Sequence, residues 1–206
     1  MAELDDVIVN RRSVKEFDPD YKIPHEEMYE MMEKVVEAPS SINMQPWRFA
    51  VVESDEAKEK IRPYVRFNTT QNDTSSAMII VFGDLECYKE GEYIYNEAVN
   101  HGHMPAEVRD QTLPFAVESY KQLTREEMDS IIRVDCGLAA MQLMLVAKEY
   151  GYDTNPIGGF EEDQIGEAIG YSYDRYEPML IVAIGKKAKE PHTSFRMPVD
   201  KVVNYL

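Results

Sequence analysis

The chain has 206 residues, of which 44% are hydrophobic, and its 22 Lys and Arg face 38 Asp and Glu for a net charge of −16. That apolar share excludes a wholly disordered chain, and the length fits a single domain spanning 1–206. A surface this acidic repels polyphosphate and anionic lipid at long range, so neither nucleic acid nor a membrane surface is an expected partner, and an anionic ligand needs a local cationic island.

The opening Met1 to Asp6 is acidic and does not resemble a secretory signal. Residues 3–10 carry Leu4, Val7 and Ile8 at helical spacing, and Arg11 to Tyr21 reads as a polar connection broken by Pro19. Pro24 stands near a helix start with His25, Glu26 and Glu27 in the first turn, where carboxylates suit the positive end of the helix dipole. Met28, Met31, Met32, Val35 and Val36 recur at three and four and predict one buried stripe, ended by Pro39-Ser40-Ser41. Three near-continuous apolar runs, Arg48 to Glu53, Ala77 to Phe82 and Met179 to Ile184, read as strands buried on both faces, with a short helix over Asp55 to Ile61. Residues 86–128 are rich in Tyr, Glu, His and Asn and read as a mostly helical insertion that forms a pocket wall or lid. Asp135 to Glu149 is the clearest core helix, because from Cys136 to Ala147 only Gln142 is polar; a helix apolar all round lies in a core or between subunits. No apolar run approaches the ~20 residues of a bilayer span. The two cysteines, Cys87 and Cys136, make no CxxC pair, and the expected setting is reduced and cytoplasmic.

Four short segments could carry chemistry. Arg11-Arg12-Ser13-Val14-Lys15 gathers three cations and a hydroxyl, suited to a phosphate, although the same run could be a solvated turn paired with Glu16, Asp18 and Asp20. Pro39 to Trp47 offers hydroxyls, amides and the only Trp, which suit a planar heteroaromatic ligand or simply a turn satisfying its own backbone. Asn155-Pro156-Ile157-Gly158-Gly159-Phe160 exposes backbone N–H groups to a flat ligand, or is a plain loop between helix and strand. Arg196 precedes Pro198 and means nothing alone. His101 and His103 are one residue apart and a helix would point them away from each other, so no metal site is expected; Cys136 reads as an inert core thiol.

Taken in order, these segments resemble the FMN-dependent nitroreductases across nearly the whole chain. The resemblance implies an α+β fold, a mostly antiparallel sheet covered by helices, in an intertwined homodimer with FMN at the subunit interface. By the same resemblance Arg11, Arg12, Ser13, Lys15 and Arg196 would hold the FMN phosphate or ring edge, Arg196 as a buried partner. Ser40, Ser41, Asn43 and Gln45 would line the flavin, coming in the family from either subunit. Asn68 and Gln71 would stand beside the ring, and Pro156, Ile157, Gly158 and Gly159 would cover one of its faces. The implied activity is transfer of hydride from NADH or NADPH through flavin N5 to a nitroaromatic, quinone or related small acceptor by a ping-pong scheme, with Lys15 and Gly158 tuning the cofactor and no catalytic side chain or metal required. Same-fold alternatives are an enal reductase or a dehalogenase, and a non-catalytic flavin-binding protein is the reading from another class. Many family members carry an acidic residue where this chain has Gly158. Tyr88, Tyr93, Tyr95 and Phe115 of the insertion would either stack on an aromatic acceptor or fill a local core.

Overall fold

A computed structural model describes residues 3–206, so the first two residues of the acidic opening lie outside the described residues. Four strands, β1 (Trp47–Val52), β2 (Ala77–Asp84), β3 (Asp153–Ile157) and β4 (Tyr176–Gly185), form one antiparallel sheet in the order β1-β2-β4-β3. The fold is thus α+β. β2 lies between β1 and β4, and all eight of its residues are buried, which is why its sequence reads as an unbroken apolar run. Alternation then assigns its two faces. Met78, Ile80 and Phe82 join Ala50, Val52, Ile181, Ala183 and Ile157 in one core cluster, while Ile79 and Val81 point to the opposite face.

The opposite face is covered by α2 (His25–Val35) and α7 (Arg125–Glu149). Met28, Met31 and Val35 of α2 are buried as the stripe predicts, but Val36 is exposed, because the helix ends at Val35 and Val36 occupies the cap. α7 begins ten residues before the predicted Asp135. Its start is set by a capping box in which the Thr124 hydroxyl accepts from Glu127 N–H and the Glu127 carboxylate accepts from Thr124 N–H. The polar first turns of α7 hide this start from a search for apolar residues. Replacing Thr124 by alanine should lower stability by about 1 kcal/mol, read as a shifted urea midpoint with an unchanged slope. α7 carries an 18-residue window of mean hydropathy 1.5, long and apolar enough to cross a membrane by composition alone. In the fold, Ile132, Ala139, Leu143 and Ala147 of this helix are fully buried in the cores of the sheet face and of the helices beside it.

The Arg11–Tyr21 stretch is more than a polar connection. Ser13 bridges Thr154 of β3, Phe17 bridges Lys187, and the Val14 and Phe17 side chains are wholly buried on the β3 side of the core. It follows α1 (Leu4–Asn10), which packs on α7 through Val7. The helices α3 (Asp55–Ile61), α4 (Thr69–Thr74) and α8 (Glu162–Ile165) complete the set around the sheet. Residues 86–128 contain a 3-10 turn at Cys87–Glu90, α5 (Gly91–Asn100) and α6 (Ala106–Lys121). They build a satellite core of Cys87, Tyr95, Ala116 and Tyr120 together with Met44, Met128 and Ile132. Tyr95 is therefore a core residue, whereas Tyr93 and Phe115 are exposed and Tyr88 is half-buried.

Candidate functional site

The Ser13–Thr154 bridge, tightened by a 3.0 Å bond from Val14 N–H to the Thr154 carbonyl, sets the basic segment along the β3 edge of the sheet. Arg11, Arg12, Ser13, Lys15 and Arg196 line one cleft of about 500 Å³, closed on its other side by Lys189 to Ser194. Arg11 is half-buried, and burial first, then the charges of Arg196 and Arg12, holds its pKa below the usual guanidinium range. Three like charges thus converge on one space, an arrangement that an anion stabilises. Arg196 itself is exposed, bound to the Ser194 hydroxyl at 2.6 Å and to the Phe195 carbonyl at 3.2 Å. It is not the buried partner the sequence suggests; within the chain that place belongs to Arg11, because the segment carrying Arg196 is exposed throughout residues 192–206.

The segment Asn155–Phe160 is partly a strand. Asn155, Pro156 and Ile157 belong to β3 and only Gly158 onward forms a loop. Pro156 is tolerated because β3 is an edge strand. Gly158 has open space where a side chain would stand, so no contact demands glycine there. The Asn68 amide donates to the Gly159 carbonyl and to the Val65 carbonyl, both at 3.0 Å, and the Gln71 amide donates to Asn68 Oδ1 at 3.2 Å. The bidentate Arg66–Glu161 pair, at 2.9 and 3.2 Å, closes the same loop. Arg66 has φ of 50° and presents the next residue, Phe67, which is 99% exposed. Sequence reasoning missed Phe67, and its only signal was adjacency to Asn68. α4 is tied to the basic segment by Phe17 N–H donating to Thr74 Oγ1 at 3.1 Å. The basic segment is thus bridged to β3 at Thr154, and Asn68 and Gln71 are tied to the loop that follows β3 at Gly159.

Ser40, Ser41, Asn43 and Gln45 lie elsewhere. They precede β1, at the opposite edge of the sheet. Three inter-strand spacings, about 14 Å, separate the two edges. Within this loop Ile42, Asn43 and Gln45 have φ of 43°, 57° and 45°. Left-handed backbone at a β-branched residue is strained and persists only where its surroundings impose it. The imposing contacts are visible: Gln45 N–H donates to Ser40 Oγ at 3.0 Å, and Arg48 donates to the Gln45 carbonyl at 2.9 Å. Arg48 in turn reaches Asp84 at 3.0 Å, a carboxylate with no exposed surface that also accepts two 2.9 Å bonds from Arg175. These bonds push the Arg175 pKa up.

Both cysteines are free and buried, and burial pushes each thiol up to about 12, so neither is a nucleophile near neutral pH. Among the described residues no group of three or more His, Cys, Asp or Glu could hold a metal ion, and the His101 and His103 rings stack against each other at 6.3 Å.

A model of the Nitroreductase family matches residues 8–186. A Bacillus subtilis protein provisionally named NAD(P)H nitroreductase YdgI is 44% identical over 97% of this chain and 96% of its own length. The crystal structure of a Staphylococcus epidermidis protein, provisionally described as an NAD(P)H:FMN oxidoreductase, superposes with a TM-score of 0.98 at 51% identity, covering 100% of this chain and 97% of the other. The structure of a provisionally named nitroreductase from Exiguobacterium sibiricum, solved in complex with FMN, has a TM-score of 0.96 at 43% identity, covering 100% and 98%.

Proposed function

This chain belongs to the nitroreductase family, and from that premise we propose that it is an FMN-dependent oxidoreductase that takes electrons from NADH or NADPH and delivers them to a small organic acceptor. The observation that carries the reading is the cleft in which Arg11, Arg12 and Arg196 converge, while the two acids that also line it, Glu16 and Glu190, are paired with Lys189 and Lys187 at 2.6 and 2.7 Å. The cleft's size and charge fit a phosphate tail. The Asn68–Gly159 platform beside it offers bare backbone to a flat ring. When bound, FMN supplies the chemistry of accepting a hydride and passing it on, so the protein needs no triad of its own.

In this reading Arg11, Arg12, Ser13 and Arg196 would hold the phosphate and Gly158 and Gly159 would present backbone N–H groups to the ring; Asn68, itself held by Gln71, fixes the Gly159 carbonyl. Lys15, exposed on the cleft wall, brings positive charge to the ring edge. Its removal should make the bound flavin harder to reduce by about 30–60 mV, taking roughly 1.5–3 kcal/mol for a charged hydrogen bond and about 30 mV per 1.4 kcal/mol for a two-electron couple. A spectroelectrochemical midpoint that does not move removes Lys15 from the ring.

The separation of the Ser40–Gln45 loop from the cleft, at opposite sheet edges, supports a site completed across a homodimer. So does an unpartnered apolar stripe on α7, where Val134, Leu138 and Met141 are 63%, 45% and 41% exposed at helical spacing. The exposed Phe195, Met197 and Tyr205 of the C-terminal segment are a second apolar surface of the kind a partner covers. In the cytoplasm, where we place the protein, its two free thiols stay reduced. Helices α5 and α6 of residues 86–128 pack against the Ser40–Gln45 loop through Tyr95, Tyr120 and Met44 and form one wall of the acceptor pocket in this reading.

The decisive experiment is an absorption spectrum of the purified protein followed by anaerobic NAD(P)H titration and steady-state turnover with quinone, nitroaromatic and enone acceptors. Flavin bands that bleach with NAD(P)H, and parallel initial-velocity lines, are the expected result. A protein that is colourless and remains so with added FMN overturns the reading, and one that binds FMN without turnover is the non-catalytic flavoprotein.

A further inference from the structure

The Ser41–Gln45 loop is gripped from beneath while its surface faces outward. Ser41, Ile42 and Asn43 are exposed, and between them and β1 the Met44 side chain is fully buried in the satellite core. The grips on the loop's backbone come from three helices. Both carboxylate oxygens of Asp135, on α7, lie 3.1 Å from Ser41 N–H; Tyr95 on α5 donates to the Ile42 carbonyl at 3.1 Å; Tyr120 on α6 donates to the Ser41 carbonyl at a longer 3.4 Å. All three side chains are buried, with 3%, 5% and 6% exposure.

Asp135 is the odd member of this set. It is a buried carboxylate whose hydrogen bonds both come from one backbone N–H, and burial pushes its pKa up while the Ser41 N–H draws it down. The titratable groups around it are Tyr120 from α6, Cys87 from the turn after β2 and Cys136 on α7, all held neutral near pH 7 by raised pKa values. Among the described residues no Lys, Arg or His forms an ion pair with Asp135; Arg48 of β1 is committed to Asp84. A buried charge without a cation destabilises a fold unless it is strongly bonded. Both of its hydrogen bonds here come from the first residue of the strained loop, so that is where its presence has an effect.

We propose that Asp135, Tyr95 and Tyr120 are positioning residues, a three-helix clamp that holds the start of the Ser41–Gln45 loop, with its left-handed Ile42 and Asn43, in place and so presents the Ser41, Asn43 and Gln45 groups to the flavin. The proposal rests on the FMN reading above. It gives the helices of residues 86–128 a role beyond walling a pocket: two of the three grips come from them, so the shape of the flavin-facing loop depends on how α5 and α6 pack. The tyrosines hold the Ser41 and Ile42 carbonyls and so fix the two peptide units that flank Ile42, while Asp135 fixes the Ser40–Ser41 unit before them.

The test is an FMN fluorescence titration of wild type, the double variant Tyr95→Phe/Tyr120→Phe, Asp135→Asn and Asp135→Ala, each with a thermal unfolding midpoint. Ser54→Ala serves as a control for lost stability, since that hydroxyl caps α3 by accepting from Ala57 N–H. Loss of the two tyrosine hydroxyls should weaken FMN binding about tenfold. Asp135→Ala should weaken it further, with partial rescue in Asp135→Asn, whose amide oxygen still accepts from Ser41. Ser54→Ala should unfold at a lower temperature and bind FMN as wild type does. If wild type binds FMN and the clamp variants stay within twofold of it, the clamp is refuted and the FMN reading stands. If wild type itself does not bind FMN, both fall. Should the double variant fail to fold, Tyr95→Phe alone and Asp135→Asn decide by the same criterion: weaker binding at an unchanged unfolding midpoint supports the clamp, and unchanged binding refutes it.

Discussion

Asp84→Ala is expected to lower the unfolding free energy by about 3 kcal/mol, at the lower end of the range for breaking a buried ion pair by removing one partner. Asp84 has no exposed surface and accepts from Arg175 twice at 2.9 Å, from Arg48 at 3.0 Å and from Glu86 N–H at 3.0 Å. Its removal leaves two guanidinium groups facing each other across the space it filled. Their side chains are 29% and 32% exposed, so water relieves part of the repulsion, and that selects the lower end of the range. The change should reach the loop too, because the same Arg48 fork holds the Gln45 and Trp47 carbonyls at 2.9 and 2.8 Å. Asp84→Asn retains an acceptor but loses the charge and should fall between alanine and wild type. Urea denaturation of the three proteins measures this, and a loss under about 1 kcal/mol, the scale of an ordinary surface pair, would show the triad to be a bystander.

The parts of this molecule that were legible in the sequence are those whose physics is local. The apolar runs of β1, β2 and β4 and the stripe of α2 declare themselves because burial repeats at fixed spacing. The Arg11–Lys15 run declares itself as a charge anomaly in an acidic chain, and the structure gathers it with Arg196 around one cleft. What stayed hidden is non-local. Tyr95 and Tyr120 meet their carbonyl partners across 53 and 79 residues of chain, and Arg175 meets Asp84 across 91. No spacing rule connects such positions. The Ser40–Trp47 segment shows both sides of this limit. Its uncharged donors can be read directly, but its place at the sheet edge opposite the basic cleft follows from the strand order β1-β2-β4-β3, which only the folded chain reveals.

Arg11→Ala is expected to weaken FMN binding by about 2–3 kcal/mol, some 30- to 150-fold, on the scale of a charge-assisted hydrogen bond to phosphate. Arg196→Ala should cost less, because Arg196 is exposed in the chain and water already competes for its guanidinium. The sign of the effect on the protein without ligand separates this role from a structural one. Arg11 is half-buried beside two like charges, and burial first, then those neighbours, lower its pKa. Its removal therefore relieves repulsion, and the unliganded variant should unfold at the same temperature as wild type or higher. With saturating FMN the order should reverse, because the stabilisation that a ligand confers grows with its affinity. Raising the salt should narrow the difference in affinity between variant and wild type, since screening weakens a partly exposed ion contact. Calorimetry with and without FMN, paired with fluorescence titration at two ionic strengths, tests all three signs. A variant that loses stability without ligand and binds FMN normally would make Arg11 a structural residue and return the phosphate to some other part of the molecule.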